Sequence, residues 1–453
     1  MSDPTKLSKL STESYKGVRD FFPEDMAVEK AIFAIWRNVA EKYGYEEYAA
    51  SVLEPAELYR AKSGEEIVNE QTYTFTDRGE REVTLRPEMT PTVARMVASR
   101  RRGLAFPVRW YSIPNLFRYE QPQRGRLREH WQLNVDIFGT DSTAAEIEII
   151  SMACDITRAY GLTDTDFEIR INNRKLVNHI LKDIFSLDET AAHAFSKLID
   201  RKEKMPTETF AESAQAIVGE KGKSDELVAV FSTKSIAELL KKCPGIKKDF
   251  IGITEIEEII ASLEKLGCTN VRFDPTLMRG FDYYTGSVFE IFDLNPKNRR
   301  SVFGGGRYDD LLALFGNDKV SAVGFGAGDV IAQDLMETYG TLEKLKIDSK
   351  ADVSLCLIES DTKSHVNSYA FTFAQTLRKQ DISTSVDFSK KKTGDKIAAA
   401  DKRHIPFIIV IGEEEVKSNQ VVVKKLATKK EKLFATTEFK DIGNYIRDCL
   451  KKS

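Results

Sequence analysis

The chain has 453 residues, 42% of them hydrophobic and 30% charged, and a formal net charge of −3. At ~150 residues per domain, this length predicts two or three domains, and the composition excludes a disordered chain. No apolar run approaches the ~18 residues of a membrane helix, and the first fifteen residues offer no apolar core for a signal peptide, so we expect a cytoplasmic protein with no membrane partner.

In chain order, Pro23 and Gly44 bracket a helix with Ile32, Trp36, Val39 and Tyr43 on one face. Tyr45 to Leu53 then reads as a strand terminated at Pro55. Gln71 to Thr76 and Val83 to Arg86 predict strands joined by a turn at Asp77-Arg78-Gly79. Thr90-Pro91 predicts an N-cap and first-turn proline for a helix reaching about Arg101. Pro107 to Tyr119 and Glu129 to Phe138 read as two long strands around the loop Gln121 to Arg126. In the second, Trp131, Leu133, Val135 and Ile137 share one face, while Gln132, Asn134 and Asp136 share the other. That alternation predicts an antiparallel strand with a core side and a wet or ligand-facing side.

From about Lys175 to Lys248 the pattern is helical and polar, as in an inserted module, and strands return at Val271 to Phe273 and Ser287 to Phe292. After a charged linker near 341–350, strand-like and helical runs alternate, predicting a small α/β domain with a largely parallel sheet. From Ala351 onward there are 19 Lys/Arg against 14 Asp/Glu, or +5, which leaves −8 on the body. Such a tail permits a phosphate-backbone partner, and a merely lysine-rich surface fits the charge equally well. The five widely spaced cysteines contain no CxxC pair and predict reduced thiols; the five histidines show no HxxxH or HExxH spacing, so no protein-built metal site is expected.

Two segments carry candidate chemistry. Arg118, Arg124, Arg126 and Arg128 cluster about one loop, and guanidinium forks suit polyphosphate because each donates two parallel hydrogen bonds. A solvated hairpin with charged edges would look the same. Leu277 to Gly286 contains Arg279, Asp282, Tyr283 and Tyr284, which offer one cation and several oriented hydrogen-bonding groups; an aromatic turn packed on the core is the alternative. Gly304-Gly305-Gly306 and Gly324 to Gly328 fit neither a dinucleotide fingerprint nor a Walker loop and read as tight turns.

Taken together, these pieces resemble a known family. Arg118-Tyr119-Glu120, leading to Asp136-Ile137-Phe138-Gly139, resembles motif 2 of class II aminoacyl-tRNA synthetases, and the first helix and following strand resemble motif 1. Lys16 to Phe21, Leu85 to Thr90, Arg279-Gly280-Phe281-Asp282-Tyr283-Tyr284 and Gly305 to Asp309 are similar to the histidyl-tRNA synthetase family. The resemblance implies an α+β fold: an antiparallel-sheet catalytic domain over 1–173 and 251–340, a helical insertion over 174–250 and an α/β anticodon-binding domain over 351–453. It implies ATP with magnesium, L-histidine and histidine tRNA as substrates, and a homodimer formed through motif 1.

Carried over by position, the resemblance puts Glu88, Met89, Thr90, Gln132, Asp136, Tyr283 and Tyr284 around histidine. Arg118 would hold the α-phosphate and the histidine carboxylate, Glu120 the adenine amino group, Arg126 the outer phosphates and Gln123 the tRNA acceptor end. Arg279 would be the catalytic cation. The family's adenine-stacking arginine after the last glycine-rich strand is absent, since Gly328 is followed by Asp329-Val330-Ile331. The related regulatory subunit of ATP phosphoribosyltransferase is the alternative, although it typically lacks the tail domain and an intact motif 2.

Overall fold

The computed structural model describes residues 10–60, 71–202, 205–278, 283–298, 300–316, 319–345, 351–358 and 363–451. Two compact units divide the chain, Met1–Leu345 and Lys346–Ser453.

A nine-stranded sheet dominates the first unit. Its strands are β1 (Glu46–Glu47), β5 (Val108–Ser112), β6 (Asn115–Phe117), β7 (Glu129–Phe138), β8 (Phe167–Asn173), β9 (Val271–Phe273), β10 (Ser287–Asp293), β11 (Ser301–Tyr308) and β12 (Ala322–Gly328). The order is β1-β5-β7-β12-β11-β10-β8-β9, with β6 also paired to β7. All pairings are antiparallel except those at the two edges, β1 with β5 and β8 with β9. A separate three-stranded sheet joins β2 (Leu53–Pro55), β4 (Glu82–Leu85) and β3 (Tyr73–Thr76) in that order.

The amphipathic helix forms over Pro23–Lys42, with Ile32, Trp36, Val39 and Ala40 buried. It belongs to the same core as Leu133, Val135 and Ile137 of β7, which are at most 1% exposed. The odd-numbered face of β7 from Leu133 onward is therefore the core side that the alternation predicts.

Three local expectations need correction. Tyr45 to Leu53 is not one strand, because Glu46–Glu47 pairs with β5 whereas Leu53–Pro55 pairs with β4 in the other sheet. Pro107 to Tyr119 is likewise split into β5 and β6, with Ile113-Pro114 between them; proline has no N–H for a ladder bond. The cap of helix Thr90–Arg100 is Met89, and Thr90 is already its first helical residue.

Helices occupy most of the stretch after β8, among them Glu189–Asp200, Thr207–Val218, Lys221–Val230 and Ile236–Lys242. Phe195, Phe210, Leu227 and Phe231 are buried in the first unit's main core.

The second unit has its own core and a five-stranded sheet, β14 (Thr384–Asp387), β13 (Val353–Leu357), β15 (Phe407–Ile411), β16 (Gln420–Lys425) and β17 (Glu431–Ala435), in that order. The first three strands are parallel and the last two antiparallel, so the sheet is mixed rather than largely parallel. The short link from β16 to β17 leaves no room for the helical crossover that parallel strands require. All five cysteines are free thiols. No helix among the described residues is long and apolar enough to cross a membrane.

Candidate active site

The even-numbered face of β7 looks into a pocket of about 400 Å³, counting its open mouth. Glu88, Thr90, Arg118, Gln132, Asp136, Tyr283 and Tyr284 all line it, although they come from widely separated parts of the sequence. Met89 is fully buried at the helix start and is not among the lining residues. Arg279 lies outside the described residues, as do Gly280, Phe281 and Asp282.

The glycine-rich segments lie within strands β11 and β12 rather than in turns. In register, Gly324 stands opposite Asp136, Gly326 opposite Asn134 and Gly328 opposite Gln132. A Cβ on Gly324 would lie 2.3 Å from Asp136 Oδ1, and one on Gly326 would lie 2.3 Å from Gln132 Nε2. Side chains on β12 would therefore occupy the space that the polar groups of β7 need. Glycine here permits a close approach, not a turn.

Asp136 is 4% exposed and accepts a hydrogen bond from the Tyr308 hydroxyl. Burial pushes its carboxyl from 3.8 up to about 7, with the Tyr308 bond acting the other way. Tyr308 belongs to the quoted Gly305-to-Asp309 segment, but residue type alone did not mark it as a pocket group; its partner lies 172 positions earlier in the chain. The Tyr283 hydroxyl stands 3.2 Å from Glu88 Oε2 and 3.4 Å from Thr90 Oγ1. Its ring lies 4.9 Å from that of Tyr284 and 5.7 Å, edge-on, from that of Tyr308. Asn134, also in the lining, donates to the Gln132 carbonyl at 3.1 Å.

His130 shares the parity of this face. Loss of solvent, then the charges of Arg118 and Arg19, hold its imidazole down at about 3, so it is neutral at physiological pH.

The four loop arginines have four different situations. Arg118 donates from Nε to the Pro87 carbonyl at 2.9 Å and lines the pocket. Arg128 braces the base of the loop, donating to the Glu120 carbonyl at 3.1 Å and stacking 4.0 Å over Tyr119. Arg124 is paired with Asp334 at 2.6 Å. Arg126 is 62% exposed, 3.8 Å from the Glu120 carboxylate, and Gln123 is exposed beside it.

Asp329, directly after β12, is buried, accepts the Trp131 N–H at 2.9 Å and pairs with Arg19. Beside it Glu29 is buried, its carboxyl held well above the usual range by burial and then by Asp329. Ile331 packs, half-buried, against the main core.

A histidyl-tRNA synthetase family model matches residues 17–328, and an anticodon-binding domain model matches residues 352–448. The chain belongs to the histidyl-tRNA synthetase family. It is 42% identical to a histidine–tRNA ligase of Leptospira biflexa, over 96% of this chain and 97% of that protein. To a histidine–tRNA ligase of Thermoplasma volcanium it is 36% identical, over 92% and 95% respectively. The fold is also that of the histidyl-tRNA synthetase from Nostoc sp. PCC 7120, with a TM-score of 0.77 at 22% identity over 97% of this chain and all of that one. A Bacillus halodurans structure described as an ATP phosphoribosyltransferase regulatory subunit/histidyl-tRNA synthetase aligns with a TM-score of 0.70 at 24% identity, over 87% and 97%. Fold alone therefore does not separate the two readings, whereas the near full-length identity to ligases favours the synthetase.

Proposed function

We propose that the chain attaches L-histidine to histidine tRNA through a histidyl-adenylate. The observation that carries this reading is the convergence of Glu88, Thr90, Gln132, Asp136, Tyr283 and Tyr284 on one pocket with Arg118. An imidazole offers two ring nitrogens, and the pocket offers a carboxyl–tyrosine pair at one point and a second carboxylate at another. The Asp136 carboxyl at about 7 titrates close to free imidazole at ~6.5, so the two can share one proton across a hydrogen bond. Analogues without those nitrogens would leave buried polar groups unpaired, which is the strongest basis for rejecting them.

In the first step a histidine carboxylate oxygen attacks the α-phosphorus of ATP, and the bond to pyrophosphate breaks. Arg118 and Arg279 are assigned to the charge on the α-phosphate oxygens, Arg126 to the outer phosphates and Glu120 to the adenine amino group. Magnesium is expected to arrive with ATP, whose phosphates supply most of its ligands. In the second step a terminal ribose hydroxyl of the tRNA attacks the adenylate carbonyl and AMP leaves, with Gln123 assigned to the acceptor end. Residues 1–173 and 251–340 are assigned to catalysis, 174–250 to an insertion and 351–453 to the anticodon. A homodimer through motif 1, the first helix and the strand ending at Pro55, and a cytoplasmic location complete the reading.

The test is histidine-dependent ATP–pyrophosphate exchange by purified, folded protein with magnesium present. Exchange above background is expected. Its absence would favour the regulatory-subunit reading.

A further inference from the structure

The tip of the Arg118–Arg128 loop is anchored to two distant elements. Arg124 Nε donates to Asp334 Oδ1 at 2.6 Å, and Asp334 lies on the helix Asp329–Thr338 that follows β12. Arg300, just before β11, pairs with the other oxygen of the same carboxylate and also donates from Nη1 to the Arg124 carbonyl at 3.3 Å. The Asp334 side chain is only 11% exposed. Between those two contacts sits Gly125, at φ +79° in a tight turn closed by Gln123 N–H to the Arg126 carbonyl at 3.0 Å and Arg126 N–H to the Gln123 carbonyl at 2.9 Å. A Cβ on Gly125 would fall 2.4 Å from Arg300 Nη1, so the loop backbone lies directly on that guanidinium. Ion pairing and backbone contact thus point independently to one anchor.

We propose that Asp334, with Arg300, is a positioning residue for this loop, resting on the reading of the loop as the ATP-phosphate and acceptor-end contact. Asp334 does not touch substrate. It holds Nε of Arg124 and, with Arg300 on the Arg124 carbonyl, fixes the tip, so that Arg126, assigned to the outer phosphates, is presented from a fixed backbone. A loop fixed before binding also loses less conformational freedom when ATP arrives.

The test is Asp334→Asn, which keeps the shape and removes the charge, in the full chain. We expect the KM for ATP in pyrophosphate exchange to rise about 5- to 20-fold, with kcat and the KM for histidine within about twofold; the range is an order-of-magnitude expectation for lost preorganisation. Trypsin should cut after Arg124 or Arg126 at least about fivefold faster, because an unanchored tip samples cleavable conformations more often. Arg124→Ala should raise the ATP KM similarly and speed cleavage after Arg126, and the double variant should add little, because both remove the same contact. Arg300→Gln provides a second route to a freed tip should Asp334→Asn fold poorly. Unchanged ATP KM and unchanged cleavage would overturn the proposal, as would a fall in melting temperature with neither effect. If the unmodified protein shows no exchange at all, the functional reading fails, while the proteolysis still decides whether the anchor exists.

Discussion

Asp136 should make the free protein less stable as pH rises, and Asp136→Asn should remove that dependence. In the folded chain its carboxyl sits at about 7 rather than 3.8, so between those values the folded state keeps a proton that the unfolded state has lost. Stability then falls as pH increases, by about 4 kcal/mol across the whole window and about 3 kcal/mol between pH 5 and pH 8. Asparagine is neutral throughout and can still accept from Tyr308 through Oδ1. Its added N–H₂ group costs about 1–3 kcal/mol if left unpaired. The variant should therefore lie within about 1.5 kcal/mol of the parent near pH 5 and be more stable than it, by about 1–3 kcal/mol, near pH 8. Urea unfolding at the two pH values measures this as a difference of slopes. Glu29, whose carboxyl is also raised, is present in both proteins and cancels. Loss of the charged acceptor should also weaken histidine binding by about 1.5–3 kcal/mol, on the order of 10- to 100-fold in KM. Equal pH dependence in parent and variant would mean that Asp136 titrates as an ordinary carboxylate. An unchanged histidine KM would remove it from the substrate site.

Arg279→Ala should slow adenylate formation by roughly 10²–10³, about 3–4 kcal/mol, far more than it weakens histidine binding, with lysine restoring only part; a near-normal single-turnover rate in a destabilised protein would make it a structural residue. A chain ending at Leu345 should still form adenylate but charge tRNA poorly, and undiminished charging would remove the assigned role of the tail. Arg307→Ala should cost about 3–5 kcal/mol of stability by stranding Glu146, because the two form a buried pair with Arg307 Nε 2.6 Å from Glu146 Oε1; an unchanged unfolding midpoint would show that Glu146 finds another partner.

Periodicity made β7 legible, because alternation of side chains is a local property of any strand. The same locality limited what could be read elsewhere. Gly324 and Gly326 carry no sign in sequence that a carboxyl and an amide 188 and 194 positions earlier need their space, so a turn was the natural reading. Proline at 114 interrupts the ladder, a signal that is local and present in the sequence. The loop arginines lie close together in sequence, yet their division into a pocket residue, a brace, one tied to Asp334 and one beside Glu120 depends on partners as far as 210 positions away. Asp136 was placed by resemblance, whereas the cause of its raised titration is burial, which only the folded chain supplies.

One strand thus serves the fold and the site together, and the energetic asymmetry between its faces follows from the sheet. Leu133, Val135 and Ile137 belong to the main core, and truncating one to alanine would cost about 2–5 kcal/mol by leaving a cavity. Gln132, Asn134 and Asp136 line a pocket and lie over glycines of the neighbouring strand, outside the main apolar core. Shape-conserving substitutions on that face should act mainly on binding, and at Asp136 they can relieve the cost of a buried ionised carboxyl. A carboxylate that destabilises its own fold above neutral pH is retained at low cost only where something cationic or proton-donating comes to meet it. The imidazole of the proposed substrate has that chemistry, and its binding would return the stability that the empty site gives up.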